Sequence, residues 1–294
     1  MDEEEISKYK QAGEIAKQLK EYAKTIIKKN VPLLEIANKI DDKILELKAK
    51  PAFPVNLSIN EIAAHSTPSF NDATLAHGLL KVDVGIHVDG YVADTAFSLD
   101  LENSQENKKL IQASEGALKV AIEKTRVGAP LNEIGKAIEQ SITSLGFQPI
   151  INLSGHSLAQ YELHAGITIP NHSNSPSTPI KEGAYAIEPF ATSGAGKVID
   201  GKHSGIYLLE KEVAVRDSFA REVLQFIKEE YKSLPFCSRW LHKKFGSRAL
   251  IALKRLEDAR ILHHYSQLIE KDRKPVAQTE DTIILTKKEI IVTT

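Results

Sequence analysis

Residues 82–88 read Val-Asp-Val-Gly-Ile-His-Val, residues 91–97 read Tyr-Val-Ala-Asp-Thr-Ala-Phe, and Asp89-Gly90 stands between them. Strict alternation on both sides of an Asp-Gly pair predicts a β-hairpin with a two-residue turn. Folding about that turn pairs 88 with 91, 86 with 93 and 85 with 94. One face then carries Val82, Val84, Ile86, Val88, Tyr91, Ala93, Thr95 and Phe97, an apolar set suited to a core. The other carries Asp83, Gly85, His87, Val92, Asp94 and Ala96. Asp94 lies opposite Gly85, and Asp83 is its diagonal neighbour, roughly 7–8 Å away along the backbone. Carboxylates this close repel, so the pair requires a proton, a basic partner or a cation. Gly85, lacking a side chain, leaves room beside Asp94.

The rest of the chain is that of an ordinary globular protein. It has 294 residues, 42% hydrophobic and 26% charged, enough for one large domain or two smaller ones. A net charge of −1 argues against general electrostatic capture of nucleic acid or acidic membrane. Cys237 is the only cysteine, so no intrachain disulfide forms, as in a reducing cytosol. The opening Met1-Asp2-Glu3-Glu4-Glu5 is the reverse of a signal peptide's basic start, and no apolar run reaches membrane-spanning length. A cytoplasmic protein is expected.

A faint internal repeat divides the chain. Pro32-Leu33-Leu34-Glu35-Ile36 recurs as Pro130-Leu131-Asn132-Glu133-Ile134, and at the same offset Ile40, Ile44, Leu47 and Pro51 match Ile138, Ile142, Leu145 and Pro149. Each copy has helical apolar spacing, proline at the helix start and proline where the next strand begins. Helical stretches near 7–28 and 107–126 precede the copies. Extended segments are expected at 52–60 and 82–99 after the first copy, and near 150–154, 161–168, 184–191 and 206–215 after the second. The Ser-, Pro- and Asn-rich segment 171–179 reads as an exposed loop. Residues 217–272 change to helical patterns with no strand signal, and a strand returns at 276–285. The expected organisation is an α/β (α+β) domain of two pseudo-symmetric halves, 1–216 plus 273–294, with a helical insertion at 217–272.

Further candidate ligands lie at strand ends: His156 after 150–153, Glu188 after 184–187, and Glu280 in the last strand. Acids in apolar strands are expensive to bury unless paired or bound to metal. Four carboxylates and one imidazole balance two divalent cations, and an oxygen-rich set with one His favours Mn, Fe, Co or Zn. Taken singly, each residue has a plainer explanation: an Asp–Lys or Asp–Arg pair, a strand-end surface acid, an edge-strand acid, a loop histidine.

Several segments taken together resemble the type 2 methionine aminopeptidases, archaeal in style, of the pita-bread metallopeptidase fold. They are Ala52-Phe53-Pro54, Ser58-Ile59-Asn60-Glu61-Ile62-Ala63-Ala64-His65, the hairpin at 81–95, Ser154-Gly155-His156-Ser157, Tyr161-Glu162-Leu163-His164-Ala165-Gly166, Tyr185-Ala186-Ile187-Glu188-Pro189-Phe190 and Ala277-Gln278-Thr279-Glu280. The likeness spans essentially the whole chain. It implies a pita-bread fold and removal of the initiator methionine, with a small second residue favoured, by water activated between two divalent ions. It assigns Asp83 to one ion, Asp94 and Glu280 to both, and His156 with Glu188 to the other. It makes His65, His164 and Glu188 catalytic. His65, His164, Phe53, Leu163, Phe190 and His203 would contact substrate. The insertion, with Pro235-Phe236-Cys237-Ser238-Arg239-Trp240-Leu241, resembles the winged-helix-like type 2 subdomain. The expected partner is the N-terminal Met of nascent chains, and the expected state a monomer.

Two rivals stand beside this reading. An X-Pro peptidase of the same fold would ordinarily carry a further N-terminal domain, and the first repeat begins too early to leave space for one. A non-catalytic nucleic-acid- or ribosome-binding relative would use Arg239, His242, Lys243, Lys244, Arg248, Lys254 and Arg255 in the insertion, although such runs are usually solvated helix faces.

Overall fold

The computed structural model describes residues 1–174, 177–211 and 213–294. The hairpin forms in the expected register, with Val88 opposite Tyr91, Ile86 opposite Ala93 and Gly85 opposite Asp94. Its strands are Leu79–Val88 and Tyr91–Asp100. Asp89 (φ 52°) and Gly90 (φ 90°) both take positive φ, as a two-residue hairpin turn matching the strands' twist requires. Lys50–Pro51 and Asn56–Ile59 also pair with Leu79–Val88.

The internal repeat is visible as matched elements. Helix α1 (Glu3–Ile26) and helix α2 (Leu33–Glu46) precede the hairpin sheet. Helix α3 (Gln105–Lys124) and helix α4 (Leu131–Ser144) precede the second sheet. The helices α2 and α4 each have 14 residues and a proline N-cap, Pro32 or Pro130, so each begins one position later than the proline start expected from sequence. Strands Lys50–Pro51 and Gln148–Pro149 follow at the same offset. Each half buries its helices' apolar stripes against its own sheet. Ile36, Ile40 and Ile44 join Val82, Val84 and Ile86 in one core, while Ile134, Ile138 and Ile142 join Tyr185, Ile187 and Ile283 in the other. The second sheet is Ile290–Val292, Asp281–Leu285, Gly183–Ile187, Ser154–Leu158 and Thr168–Pro170, in that order.

Other expectations shift. The strand expected at 150–154 lies at Ser154–Leu158, and most of 161–168 is loop, with only Thr168–Pro170 extended. In place of 206–215 stands the longer Val198–Leu209; Glu212, like Ser175 and Pro176 of the 171–179 loop, lies outside the described residues. Within 217–272 are helices α5 (Ser218–Glu230), α6 (Ser238–Phe245) and α7 (Arg248–Asp258), which share a separate apolar core. That segment is not wholly helical, however. Leu262–Glu270 is a nine-residue strand that pairs with both Val198–Leu209 and Ile62–Ala64. The expectation of helices alone fails here because Leu-His-His-Tyr-Ser-Gln lacks the clean apolar alternation of a half-buried strand. Among the described residues no helix is long and apolar enough to cross a membrane.

Ile138 is fully buried in the second core. Ile138→Ala is expected to lower unfolding free energy in urea by about 2–5 kcal/mol. A loss well under 1 kcal/mol would show that this helix does not carry the second half's core.

Candidate metal centre and active site

The five candidate ligands converge on one cavity of about 370 Å³ between the two sheets. Asp83 and Asp94 come from the hairpin, His156 from Ser154–Leu158, and Glu188 from the turn after Gly183–Ile187. Glu280 sits between Val276–Gln278 and Asp281–Leu285. His156 Nε2 lies 3.6 Å from Asp94 Oδ2 and 3.9 Å from Glu188 Oε1. Ligand atoms of Asp94, His156 and Glu280 all fall within 4.8 Å of one another. These three residues are 3%, 5% and 1% exposed, so the cluster sits where bulk water screens little.

The seam between the halves fixes this geometry. The Asp94 backbone N–H donates to Thr282 Oγ1 at 2.8 Å, and the same hydroxyl donates to the Asp94 carbonyl at 2.8 Å. Thr95 Oγ1 donates to the Glu280 carbonyl, and Ala96 and Glu280 exchange backbone bonds as a two-residue bridge. Two hydroxyls and one bridge thus hold an acid of the first half against an acid of the second. Asp281, next in sequence to Glu280, points away and pairs with Lys20 at 3.1 Å.

Electrostatics show what the cluster lacks. Burial is the largest cause holding Asp94, Glu188 and Glu280 well above the carboxylate range, and their mutual repulsion adds to it. Burial likewise raises Asp83 to about 7, against the pull of a hydrogen bond from Gln278. Buried Asp83 Oδ1, Asp94 Oδ1 and Glu280 Oε1 have no hydrogen-bond partner. Burial lowers His156 to about 3, so the imidazole is neutral and its nitrogen lone pair is available at neutral pH. Orphaned acid oxygens facing a neutral imidazole fit a divalent-cation site better than any hydrogen-bonded arrangement of these groups.

The cavity wall explains the remaining candidates. Phe53, Leu163 and Phe190 line it, with His65 and His164. Gly85 does not leave space for a ligand, as the sequence had implied: a Cβ there would overlap the Phe53 ring, so the glycine admits the aromatic wall opposite Asp94. His65 packs edge-on to Tyr265 with centroids 5.2 Å apart, and burial lowers its pKa to about 4. The His164 ring meets His156 edge-on at 4.4 Å, and desolvation shifts its pKa down as well.

His203 does not line this cavity. It borders a second one, stacked on His264 with centroids 4.2 Å apart. Its strand, Val198–Leu209, is irregular around Asp200 and His203, a feature invisible to side-chain alternation. His203, His264 and Glu257 also bring ligand atoms together. There, however, His264 Nε2 accepts from the Gly205 N–H at 3.1 Å, which leaves Nδ1–H to donate to Glu257 at 3.2 Å. A neutral imidazole so engaged has no lone pair left for a metal.

Three residues of the site escaped sequence reasoning. Gln278 is 1% exposed and donates toward Glu188 Oε2 at 3.3 Å and Glu280 Oε2 at 3.5 Å, a buried amide among acids. Its signal was a polar residue two positions before Glu280, on the same strand face. Thr282 shares that face, and nothing in the letters marks its partner 188 residues away. Tyr265 lies in the strand that read as helix.

The chain matches the model of metallopeptidase family M24 over residues 7–287. It is 47% identical over 298 residues to the methionine aminopeptidase of Pyrococcus abyssi, covering 99% of both chains. This chain belongs to the methionine aminopeptidases of metallopeptidase family M24. Family membership brings divalent metal use, to which the orphaned acids conform. The fold is shared with a thermophilic Arx1 (TM-score 0.87, 16% identity, 100% of this chain and 91% of that one). It is shared also with the Thermotoga maritima methionine aminopeptidase (TM-score 0.71, 21% identity, 100% and 97%). The pita-bread expectation is thereby met.

The raised acids set a pH dependence for metal-free protein. Their folded pKa values exceed the unfolded ones, so their contribution to stability is complete below about pH 4 and is lost as pH rises through the folded values, about 7 for Asp83. Buried His65, His87 and His156, lowered to about 4, 4 and 3, pull the other way over the same window, so the acids' share is read by substitution: Asp83→Asn should raise the midpoint of metal-free protein more at pH 7 than at pH 5. Added Mn²⁺ should raise the midpoint more at pH 7, because ligands bind deprotonated. An equal effect of Asp83→Asn at both pH values, with no response of the parent protein to metal, would contradict the assignment.

Proposed function

We propose that this chain removes the N-terminal methionine of nascent proteins and peptides at a centre that holds two divalent ions. Asp83, Asp94, His156, Glu188 and Glu280 would hold the ions in this reading. The observation that carries it is the convergence of these five side chains in one cavity with an apolar wall. Four carboxylates match the charge of two divalent cations, and the oxygen-rich set with one imidazole favours Mn, Fe, Co or Zn. When bound, such ions supply Lewis acidity that makes water nucleophilic near neutral pH.

The chain's own groups do the rest. Phe53, Leu163 and Phe190 receive the methionine side chain, with soft apolar contacts that suit a thioether. A neutral His65 donates an N–H to the scissile carbonyl oxygen as negative charge develops there. His164 orients the peptide bond. Glu188 takes the proton from the attacking water and passes it to the leaving amine. The free α-amine of the substrate binds among the acids, which restricts action to unblocked N-termini. His203 is left out of this machinery, since it borders the other cavity.

The helical insertion supports the type 2 reading and gives little support to ribosome contact. Most of its basic residues are already engaged locally. Arg239 is 4% exposed and paired with Asp41. Lys243 pairs with Asp42, Lys254 with Asp258, and Arg255 with Asp217, while Arg248 lies over the Phe219 ring.

Metal analysis with kinetics on Met-Ala-Ser tests the assignment. Glu280→Gln is expected to lose bound metal and turnover together. His65→Ala should keep its metal while kcat falls about 10²–10³-fold. N-acetyl-Met-Ala-Ser and Ala-Pro should not be cleaved. Full turnover by Glu280→Gln, or preference for Ala-Pro, would overturn the reading.

A further inference from the structure

His65 adopts a left-handed backbone conformation, φ 56°, at the start of the irregular segment 65–70. A non-glycine residue held there is strained unless its surroundings fix it. Ser66 is fixed by the main domain's Asn56 and Leu57 and by Gln267 of the strand Leu262–Glu270. Its N–H donates to Asn56 Oδ1 at 3.0 Å, its carbonyl accepts from the Leu57 N–H at 2.6 Å, and its hydroxyl accepts from Gln267 Nε2 at 3.0 Å. The next residues are held from the insertion. Arg239, at the start of α6, donates through Nη1 to Thr67 Oγ1 at 3.0 Å and to the Pro68 carbonyl at 2.8 Å. Its Nη2 donates to Asp41 Oδ2 on α2 at 2.8 Å, an oxygen that also accepts from Trp240 Nε1 at 2.7 Å. One turn on, His242 stacks on Phe70 with centroids 3.8 Å apart and planes 13° from parallel.

We propose that Arg239 is a positioning residue: its buried guanidinium locks the segment after His65 between the insertion and α2, and so sets where the His65 ring stands in the cavity. This rests on the role given to His65 above. The fork geometry matters. Nη1 reaches two loop oxygens while Nη2 is anchored on a carboxylate, which no ammonium can reproduce. The pairing is almost wholly buried, so screening does not erode it. The insertion thus serves the reaction without reaching into it. Its best-buried cation is spent on the loop that carries a catalytic ring.

The test compares Arg239→Lys and Thr67→Val with the parent and with Lys254→Ala, an exposed control in the insertion. Hydrogen exchange of the Ser66, Thr67, Ser69 and Phe70 amides is followed on metal-free protein, and metal content, melting midpoint, kcat and KM on the loaded enzyme. Both variants should speed exchange at 66–70 while leaving the Leu79–Val88 strand unchanged. Both should lower kcat about tenfold or more with KM and metal content near parental, because a displaced group costs rate before affinity; Arg239→Lys, which weakens the buried pairing with Asp41, also lowers the midpoint, and Thr67→Val, which leaves that pairing in place, does not. Parental exchange at 66–70 would overturn the proposal, as would faster exchange with unchanged kcat. A kcat loss in Thr67→Val that only tracks metal loss or a lowered midpoint would overturn it too. Parental turnover by His65→Ala would instead remove the role of His65, and the exchange data would still decide whether Arg239 holds the loop.

Discussion

The fold concentrates four carboxylates at a buried seam where they repel one another, and the rest of the architecture follows from holding them there. Burial and mutual repulsion push Asp94, Glu188 and Glu280 far from their ordinary behaviour, and three acid oxygens are left with no donor. A protein does not retain such a cluster for stability, since unpaired buried charge destabilises. Cations resolve the conflict: they replace the missing donors and let the acids ionise in place. Gln278, set among the acids, gives them a single neutral donor group that orients them without discharging them.

Duplication explains how the acids reach the seam. Each half brings two helices and a sheet, and each sheet turns one polar face toward the other half. Asp83 and Asp94 come from one, and His156, Glu188 and Glu280 from the other. At the join Thr282 clasps both backbone groups of Asp94, with the Ala96–Glu280 bridge and Ser98 on both backbone groups of Gln278 beside it. The third element, the helical insertion, adds the wall around Tyr265 and the brace at Arg239. Its own apolar core leaves its outer charges to pair locally.

Much of this was legible in the letters. The hairpin was readable to the residue because period-two alternation and Asp89-Gly90 leave one register open. The repeat was readable because both copies bury isoleucines at the same helical spacing. The five ligands were nominated as acids and a histidine at strand ends, but spacing alone did not bring them together; the family resemblance did. What stayed hidden depends on distant partners. Thr282 looks like any strand threonine, Arg239 like one member of a basic run, and Gly85 like an opening. Only the fold puts Asp94, Asp41 and Phe53 beside them. His203 misled because its strand breaks register, and Leu262–Glu270 because its polar residues mask alternation.

In the proposed centre five side chains of two halves hold a pair of cations. Diffraction from crystals grown with Mn²⁺, collected near the manganese absorption edge, tests it directly. Two anomalous peaks are expected in the cavity lined by Asp83, Asp94, His156, Glu188 and Glu280, about 3.5–4 Å apart. Peaks only beside His203 and His264, or none near Asp94, would contradict it.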